Sequence, residues 1–307
     1  MSFKDSSQSS IPRTDIMQLF STRSRPLNVC APMVRYSKLP FRELVRRYNC
    51  DIVYTPMILA DVFSASNYSR ECEFSTNMLD DPVVIQFAAS NGVDLANAAE
   101  LAAPYVSGID INCGCPQKWA INEKIGAHLM SDPETVRDMI RMTKARVNVP
   151  CSIKIRIHKD LRTRRQKSTE PVSLEGMKFV KEVSTVPVLA NGDVFSIDDA
   201  KMIVDATGVD GTMSARGILE NPALFAGHKT TPWECIEDYV DLALSYGTNA
   251  FIFHHHLMYM FENTMSNAER RTFNSLTTIP SIIDYLEEHY GLDIAQKRDR
   301  RRTAISN

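Results

Sequence analysis

Two cysteines one residue apart, the second followed by proline, stand in GIDINCGCPQ at residues 108–117. Such a stretch suits three chemistries: a metal ligand pair, a redox pair, or one thiol held out at the end of a strand. A metal needs further thiolate or imidazole ligands, and no other Cys or His lies close by in the sequence. His254, His255 and His256 supply no obvious set, because consecutive helical residues point about 100° apart. Thioredoxin-like motifs space their cysteines by two residues, not one. A single thiol at Cys115, presented by Pro116, remains. An ordinary thiol, of pKa ~8.5, is mostly protonated at neutral pH and can give up a proton, as a general acid must. The plain alternative is a buried, inert cysteine.

Lys154 and Arg156 alternate in CSIKIRIH (151–158), so on a strand they share a face. Two inward cations are costly unless an anionic or polar ligand meets them. A lysine beside the pyrimidine edge of a flavin stabilises the charge that develops on reduction. Gln86 can hydrogen-bond such a ring. The alternative for Lys154 is a pair with Asp110. ANGD (190–193) and SARG (214–217) come late in the chain, where α/β barrels usually hold a phosphate. Gly192 and Gly217 permit close backbone approach and Arg216 supplies a cation; ordinary turns explain the glycines equally well.

These groups sit at the ends of repeated short apolar runs. LNVCAPMV (27–34), CDIVYTPMI (50–58), PVVIQFAAS (82–90), GIDINCGCP (108–116), CSIKIRIH (151–158), VPVLANGDV (186–194) and VDGTMSARG (209–217) read as seven strands. Apolar on both faces, they predict a parallel sheet covered by helices. Met33, Gln86, Asn112, Cys115, Lys154, Arg156, Asn191, Asp193 and Arg216 lie at the tips of six of them. A doubly wound sheet gathers its ligands at a switch point, whereas a TIM barrel uses many tips. The expected class is α/β, a TIM-type barrel over 27–228. From Pro232 the spacing is helical with no strand between, predicting a small all-helical domain over 229–292. Residues 1–26 read as a disordered tail and 293–307 as a basic one.

The formal net charge of −2 predicts no general attraction to nucleic acid. RNA contact would fall to local clusters, Arg162, Arg164, Arg165 and Lys167, or Lys297, Arg298, Arg300, Arg301 and Arg302; such runs are most often solvated surface. Seven scattered cysteines suit a reducing compartment, the cytoplasm first and the nucleus second. No run approaches a membrane span, and a monomer is expected.

APM (31–33), the Gln86 strand, DINCGCP (110–116), KIR (154–156), NGD (191–193) and ARG (215–217) occur in an order and spacing that resembles the tRNA-dihydrouridine synthases. TPMILADVF (55–63), CPQKWA (115–120) and HHLMYM (255–260) look most like the eukaryotic branch acting on uridines 20a and 20b of the D-loop. The resemblance spans about Leu27 to Tyr290. It implies bound FMN, NADPH or NADH as reductant, tRNA as substrate, and Cys115 as proton donor. It puts Pro32, Met33, Val34, Gln86, Lys154, Asn191, Gly192, Asp193, Ala215 and Arg216 around the flavin, with Asn112 and Arg156 on the substrate side and no metal. Two other readings stand beside it: an FMN barrel reducing a small molecule, and a catalytically silent RNA-binding barrel.

The family carries a further helix and strand between its KIR and NGD strands, ending in an HGR motif whose histidine meets FMN. No HGR occurs in this chain. Residues 159–185 have room for one helix, Leu174–Val183, and a polar loop. An open wall near residues 159–175 is therefore expected. Lys124 also departs, standing where the family usually has glycine.

Overall fold

The computed structural model describes residues 13–157, 171–295, 297 and 298. Seven strands lie among them: β1 Leu27–Cys30, β2 Ile52–Leu59, β3 Val83–Ala88, β4 Gly108–Asn112, β5 Cys151–Lys154, β6 Leu189–Asn191 and β7 Gly211–Ser214. Six fall within the apolar runs, and β2 extends one residue past its own, to Leu59. The pairings β1–β2, β1–β7, β3–β4, β4–β5 and β6–β7 are all parallel.

Across the sheet the order is β5-β4-β3-β2-β1-β7-β6. Chain neighbours are sheet neighbours at every step but one, β5 to β6, and β7 returns to β1. A doubly wound sheet reverses at an interior switch point. This order is cyclic with one step open, which is TIM-barrel order. Among the described residues the open step lies between Lys154 and Leu189; most of the expected gap, residues 158–170, lies outside the described part.

The chain divides into two compact units, Met1–Thr22 with Ile58–Arg156, and Arg23–Met57 with Ile157–Asn307. In the first, β3 is buried along its whole length and β4 in all but its last residue. Helices Gly92–Ala102 and Pro133–Arg146 pack against each other there. Asn91 and Asp132 cap them, each side chain accepting from a backbone N–H three residues on, which satisfies an otherwise orphaned donor. The edge strand differs. Ile153 is 44% exposed, and Ile155 just beyond is 37%. Apolar β-branched residues half open at a parallel edge are what removal of the next strand and helix leaves behind.

The same unit corrects the expected N-terminal tail. Ile16–Thr22 is a helix, and Ile16 is buried, its Cδ1 lying where Gly108 has no side chain. Arg13 donates to the Asn77 and Asp80 carbonyls, and Thr14 is bonded to Asp81. One apolar anchor and a few polar contacts order residues 13–22 of the expected tail; its Ser-rich part, within residues 1–12, lies outside the described residues.

In the second unit, helix Leu174–Val183 has the expected bounds, starting at a Ser173 cap. Only Met177 on it is buried, while Phe179 and Val183 are 62% and 63% exposed. They sit at i and i+4, one apolar face without cover. Helix Ile197–Thr207 runs from a Ser196 cap to Gly208, whose φ of 70° ends it in the left-handed region. Trp233–Ser245, Ala250–Met260, Asn267–Asn274 and Ile279–Tyr290 are the C-terminal helices. The first packs on Leu39–Arg46, where Arg47 pairs with Asp238 at 3.3 Å and Tyr246 Oη donates to Glu43 at 2.7 Å.

Two basic features meet different ends. Lys297 is 6% exposed, with Nζ 2.6 Å from Asp238 and 3.3 Å from Glu237, and Arg298 meets Asp241 at 2.6 Å. Lys297 is committed to the chain's own carboxylates, while the Arg298 side chain, paired with Asp241, stays about half exposed. Arg162, Arg164, Arg165, Lys167 and Arg300 to Arg302 lie outside the described residues.

Candidate active site

In parallel strands, register decides which side chains stand side by side. Gln86 on β3 is level with Asp110 on β4, and Asp110 with Ser152 on β5; Asn112 is level with Lys154. Asp110 and Asn112 are two residues apart, as are Ser152 and Lys154, so both pairs share a face. Five polar side chains therefore converge at the tips of three strands. Ser152 Oγ donates to Asp110 Oδ1 at 2.6 Å, and Gln86 Nε2 donates to Asp110 Oδ2 at 2.7 Å. Asn112 Nδ2 donates to Gln86 Oε1 at 2.9 Å. Asn112 Oδ1 in turn accepts the backbone N–H of Gly114 at 3.1 Å and of Cys115 at 2.9 Å.

That row holds the loop carrying Cys115, and three more contacts complete the hold. Cys113 N donates to the Lys154 carbonyl at 2.9 Å, Arg156 Nε to the Gly114 carbonyl at 3.1 Å, and Ala127 N to the Cys115 carbonyl at 2.9 Å. Cys115 is half-buried, whereas Cys113 is 2% exposed. Burial pushes the Cys113 thiol up to about 12, with Asp110 and Cys151 adding to it. Of the two, Cys115 is the thiol with access to a reactant.

Lys154 is half-buried and forms no ion pair within 4 Å among the described residues. Burial lowers the pKa of its ammonium, the Asp110 charge opposing and Arg156 assisting. The alternative reading, a pair with Asp110, is met only as a longer-range attraction. Arg156 lies past the end of β5, so strand alternation no longer orients it, and its Nε is used on Gly114.

Asp110 was weighed in the sequence only as a partner for Lys154; it is the hub of the row. Burial raises its carboxyl from 3.8 to about 6, against the hydrogen bonds of Gln86 and Ser152 and the charge of Lys154. A folded pKa above the unfolded value stabilises the fold fully below pH ~4 and loses that contribution as pH rises through ~6. The gap corresponds to ~3 kcal/mol. The stability of Asp110→Asn relative to the parent should therefore be more favourable by up to ~3 kcal/mol at pH 8 than at pH 4. Urea denaturation at both pH values checks this, and an equal difference at both would overturn it.

Gly126 was missed altogether. A Cβ there would lie 2.7 Å from the Cys115 carbonyl oxygen and 2.9 Å from its Cβ, and its φ is +63°. Only the contact, eleven residues away in sequence, reveals it. Gly126→Ala should cost ~1–3 kcal/mol and change the alkylation rate of Cys115. A thermal midpoint and alkylation rate equal to the parent's would refute this. Lys124 takes φ of 59° in the same loop, a conformation that glycine adopts without strain.

The remaining candidates lie in the other unit, at the tips of β1, β6 and β7. Ala31 N donates to the Ser214 carbonyl at 2.9 Å, so the Pro32–Val34 loop leaves beside Ala215 and Arg216. Met33 is buried, Val34 exposed. Asn191 is level with Met213. Asp193, at φ of 51°, meets Arg216 at 2.8 Å, and the guanidinium lies 5.5 Å from the Phe195 ring centroid. The two glycines are bare for the chain's own sake. A Cβ on Gly192 would stand 2.3 Å from Val172 Cγ1, and one on Gly217 2.1 Å from the Val194 carbonyl. Arg216 opens a helix of only five residues.

The three histidines diverge as helical geometry requires. His254 Nε2 meets the Phe273 carbonyl at 2.9 Å, His255 Nδ1 the Tyr36 hydroxyl at 3.0 Å, and His256 Nε2 the Tyr36 carbonyl at 3.1 Å. Burial lowers His256 to about 3.

Cyclic strand order and polar chemistry at the strand tips define a TIM-type α/β protein. The family model "Dihydrouridine synthase (Dus)" matches residues 29–161 and 161–284, and the chain belongs to that family. It is 46% identical to "tRNA-dihydrouridine(20a/20b) synthase [NAD(P)+]-like" of Homo sapiens, over 91% of this chain and 96% of that one. The Schizosaccharomyces pombe tRNA-dihydrouridine(20a/20b) synthase [NAD(P)+] is 44% identical over 87% and 88%. Among solved structures, a variant of NCR from Zymomonas mobilis aligns with 69% of this chain and 90% of that one, at 12% identity and a TM-score of 0.44.

The alignments also measure the gap. The human comparison runs over 305 positions, yet 91% of 307 residues is about 279, so about 26 positions have no residue here. The fission-yeast one runs over 290, and 87% of 307 is about 267, leaving about 23. A strand of ~5–6 residues, a helix of ~11–12 and their loops have that size. The family match divides at residue 161, in the stretch of sequence between β5 and β6. Among the described residues the sheet has seven strands, one fewer than a full TIM barrel.

Proposed function

We propose that this chain is a tRNA-dihydrouridine synthase by descent, with Cys115 as the acid that protonates C5 of D-loop uracils at positions 20a and 20b, and that in its shortened form it holds flavin weakly. The observation that carries the reading is the Cys115 loop: an accessible thiol held through both its backbone N–H and its carbonyl, beside Gln86, Asn112 and Lys154.

The donors suit FMN unequally. Lys154, a half-buried cation with no ion pair within 4 Å among the described residues, matches the electron-rich edge of the ring, whereas the Gln86 amide is committed to Asp110 and Asn112. Around the phosphate the match is poorer, since Gly192 packs on Val172 and Arg216 is paired with Asp193. When bound and reduced by NADPH or NADH, FMN supplies a hydride to C6 of uracil. The chain's own work is on the proton. Pro116 and Asn112 aim the thiol, which gives its proton to C5 and is later reprotonated from solvent. Asn112 and Arg156 line the substrate side, and Lys154 offsets the negative charge at the ring edge. The uracil must leave its stack, at a cost of a few kcal/mol. The helices of 229–292 hold tRNA through phosphate and shape contacts. The reading takes the protein to be a cytoplasmic monomer.

The test uses tRNA lacking dihydrouridine, with FMN and NADPH, and reads product at 20a and 20b by mass spectrometry. Comparison of this chain with a version in which the missing unit is restored decides it. Absence of product from both would sink the reading.

A further inference from the structure

The hydrogen bonds of the Cys115 row have directions dictated from one end. The backbone N–H groups of Gly114 and Cys115 can only donate, so Asn112 must turn Oδ1 to them and Nδ2 to Gln86. Gln86 must then offer Oε1 to Asn112 and point Nε2 the other way. Whatever lies beyond has to be an acceptor, and Asp110 Oδ2 is there at 2.7 Å. Ser152 occupies the second carboxylate oxygen. Asp110 and Gln86 are each 1% exposed, so water cannot substitute for either. Turning over one amide would set donor against donor in a buried place, which costs far more than the bond is worth.

We infer that Asp110 is a positioning residue for the Cys115 thiol, acting through the amides of Gln86 and Asn112. The inference deepens the proposed function and rests on Cys115 as the proton donor. Asp110 touches neither the thiol nor a reactant. It fixes the rotamer sense of two amides, and the second of these carries the loop.

A polarity swap tests it. Gln86→Glu sets carboxylate against carboxylate and breaks the row where both are ionised, at the alkaline end of the pH range. At lower pH the two share a proton, the protonated Glu donates in place of the amide, and the row holds. Asp110→Asn alone keeps it, with the amide oxygen accepting from Gln86 and the amide nitrogen donating to Ser152. In the double variant Gln86→Glu/Asp110→Asn the new amide donates to the new carboxylate while its oxygen accepts from Ser152. The row then runs intact to Gly114 and Cys115. Hydrogen exchange at those two backbone N–H groups and the alkylation rate of Cys115 are measured across pH in all four proteins. At the alkaline end Gln86→Glu should speed exchange about tenfold or more over the parent at the same pH, and the double variant should return within about twofold of the parent. Parental exchange by Gln86→Glu at the alkaline end, or a double variant as fast there as Gln86→Glu, overturns the inference. Should Gln86→Glu fail to fold, a folded double variant with parental exchange supports it, and an unfolded one overturns it. Dihydrouridine formation by Cys115→Ala is a separate arm. If that variant keeps full activity, the proton-donor reading falls while the exchange result stands.

Discussion

Cys115→Ala is expected to cut dihydrouridine formation by about 10²–10⁴-fold, the usual contribution of a positioned general acid, measured on a chain with its barrel restored. Flavin binding and the oxidation of NADPH should survive, because the substitution removes only the proton bound for C5. Cys113→Ala should be far milder. Its thiol is 2% exposed and pushed up to about 12 by burial, so it has neither access nor a reaction of its own. Stopped-flow reduction of flavin and mass spectrometry of tRNA separate the two half-reactions. Equal losses from both substitutions would overturn the assignment.

The second large effect concerns the open step between β5 and β6. Inserting a family-like helix, strand and HGR segment after Thr163 should tighten FMN binding at least tenfold and restore synthase activity. Loss of a few hydrogen bonds costs ~1–3 kcal/mol, and exposed core and unpaired backbone edges add to it. The repair has a structural signature as well. Phe179 and Val183, more than 60% exposed now, should become protected, and dye binding to apolar surface should fall. Fluorescence titration with FMN gives the affinity. Stoichiometric tight flavin and normal turnover in the 307-residue chain as it stands would show that the open step matters little.

The sequence by itself determined the elements and singled out Cys115 as the candidate thiol. Seven β-branched apolar runs became seven strands, and Leu174–Val183 became a helix with its expected bounds, because side-chain period and a Ser173 cap act within a few residues. Cys115 stood out for the same kind of reason, through the proline next to it and the want of neighbouring ligands. Only the tertiary structure decided how the thiol is held. Asp110, Gln86 and Ser152 come from three strands brought level by parallel register, and Gly126 matters through a contact eleven residues distant. The tertiary structure also reassigned groups that the sequence offered to ligands. Gly192 and Gly217 are bare against Val172 and Val194, and Lys297 and Arg298 answer Glu237, Asp238 and Asp241. It turned residues 13–22 from tail into an anchored helix. Local pattern reports what a residue can do on its own element; partners far along the chain, whose pairing depends on register and on what burial excludes from water, settle what it does.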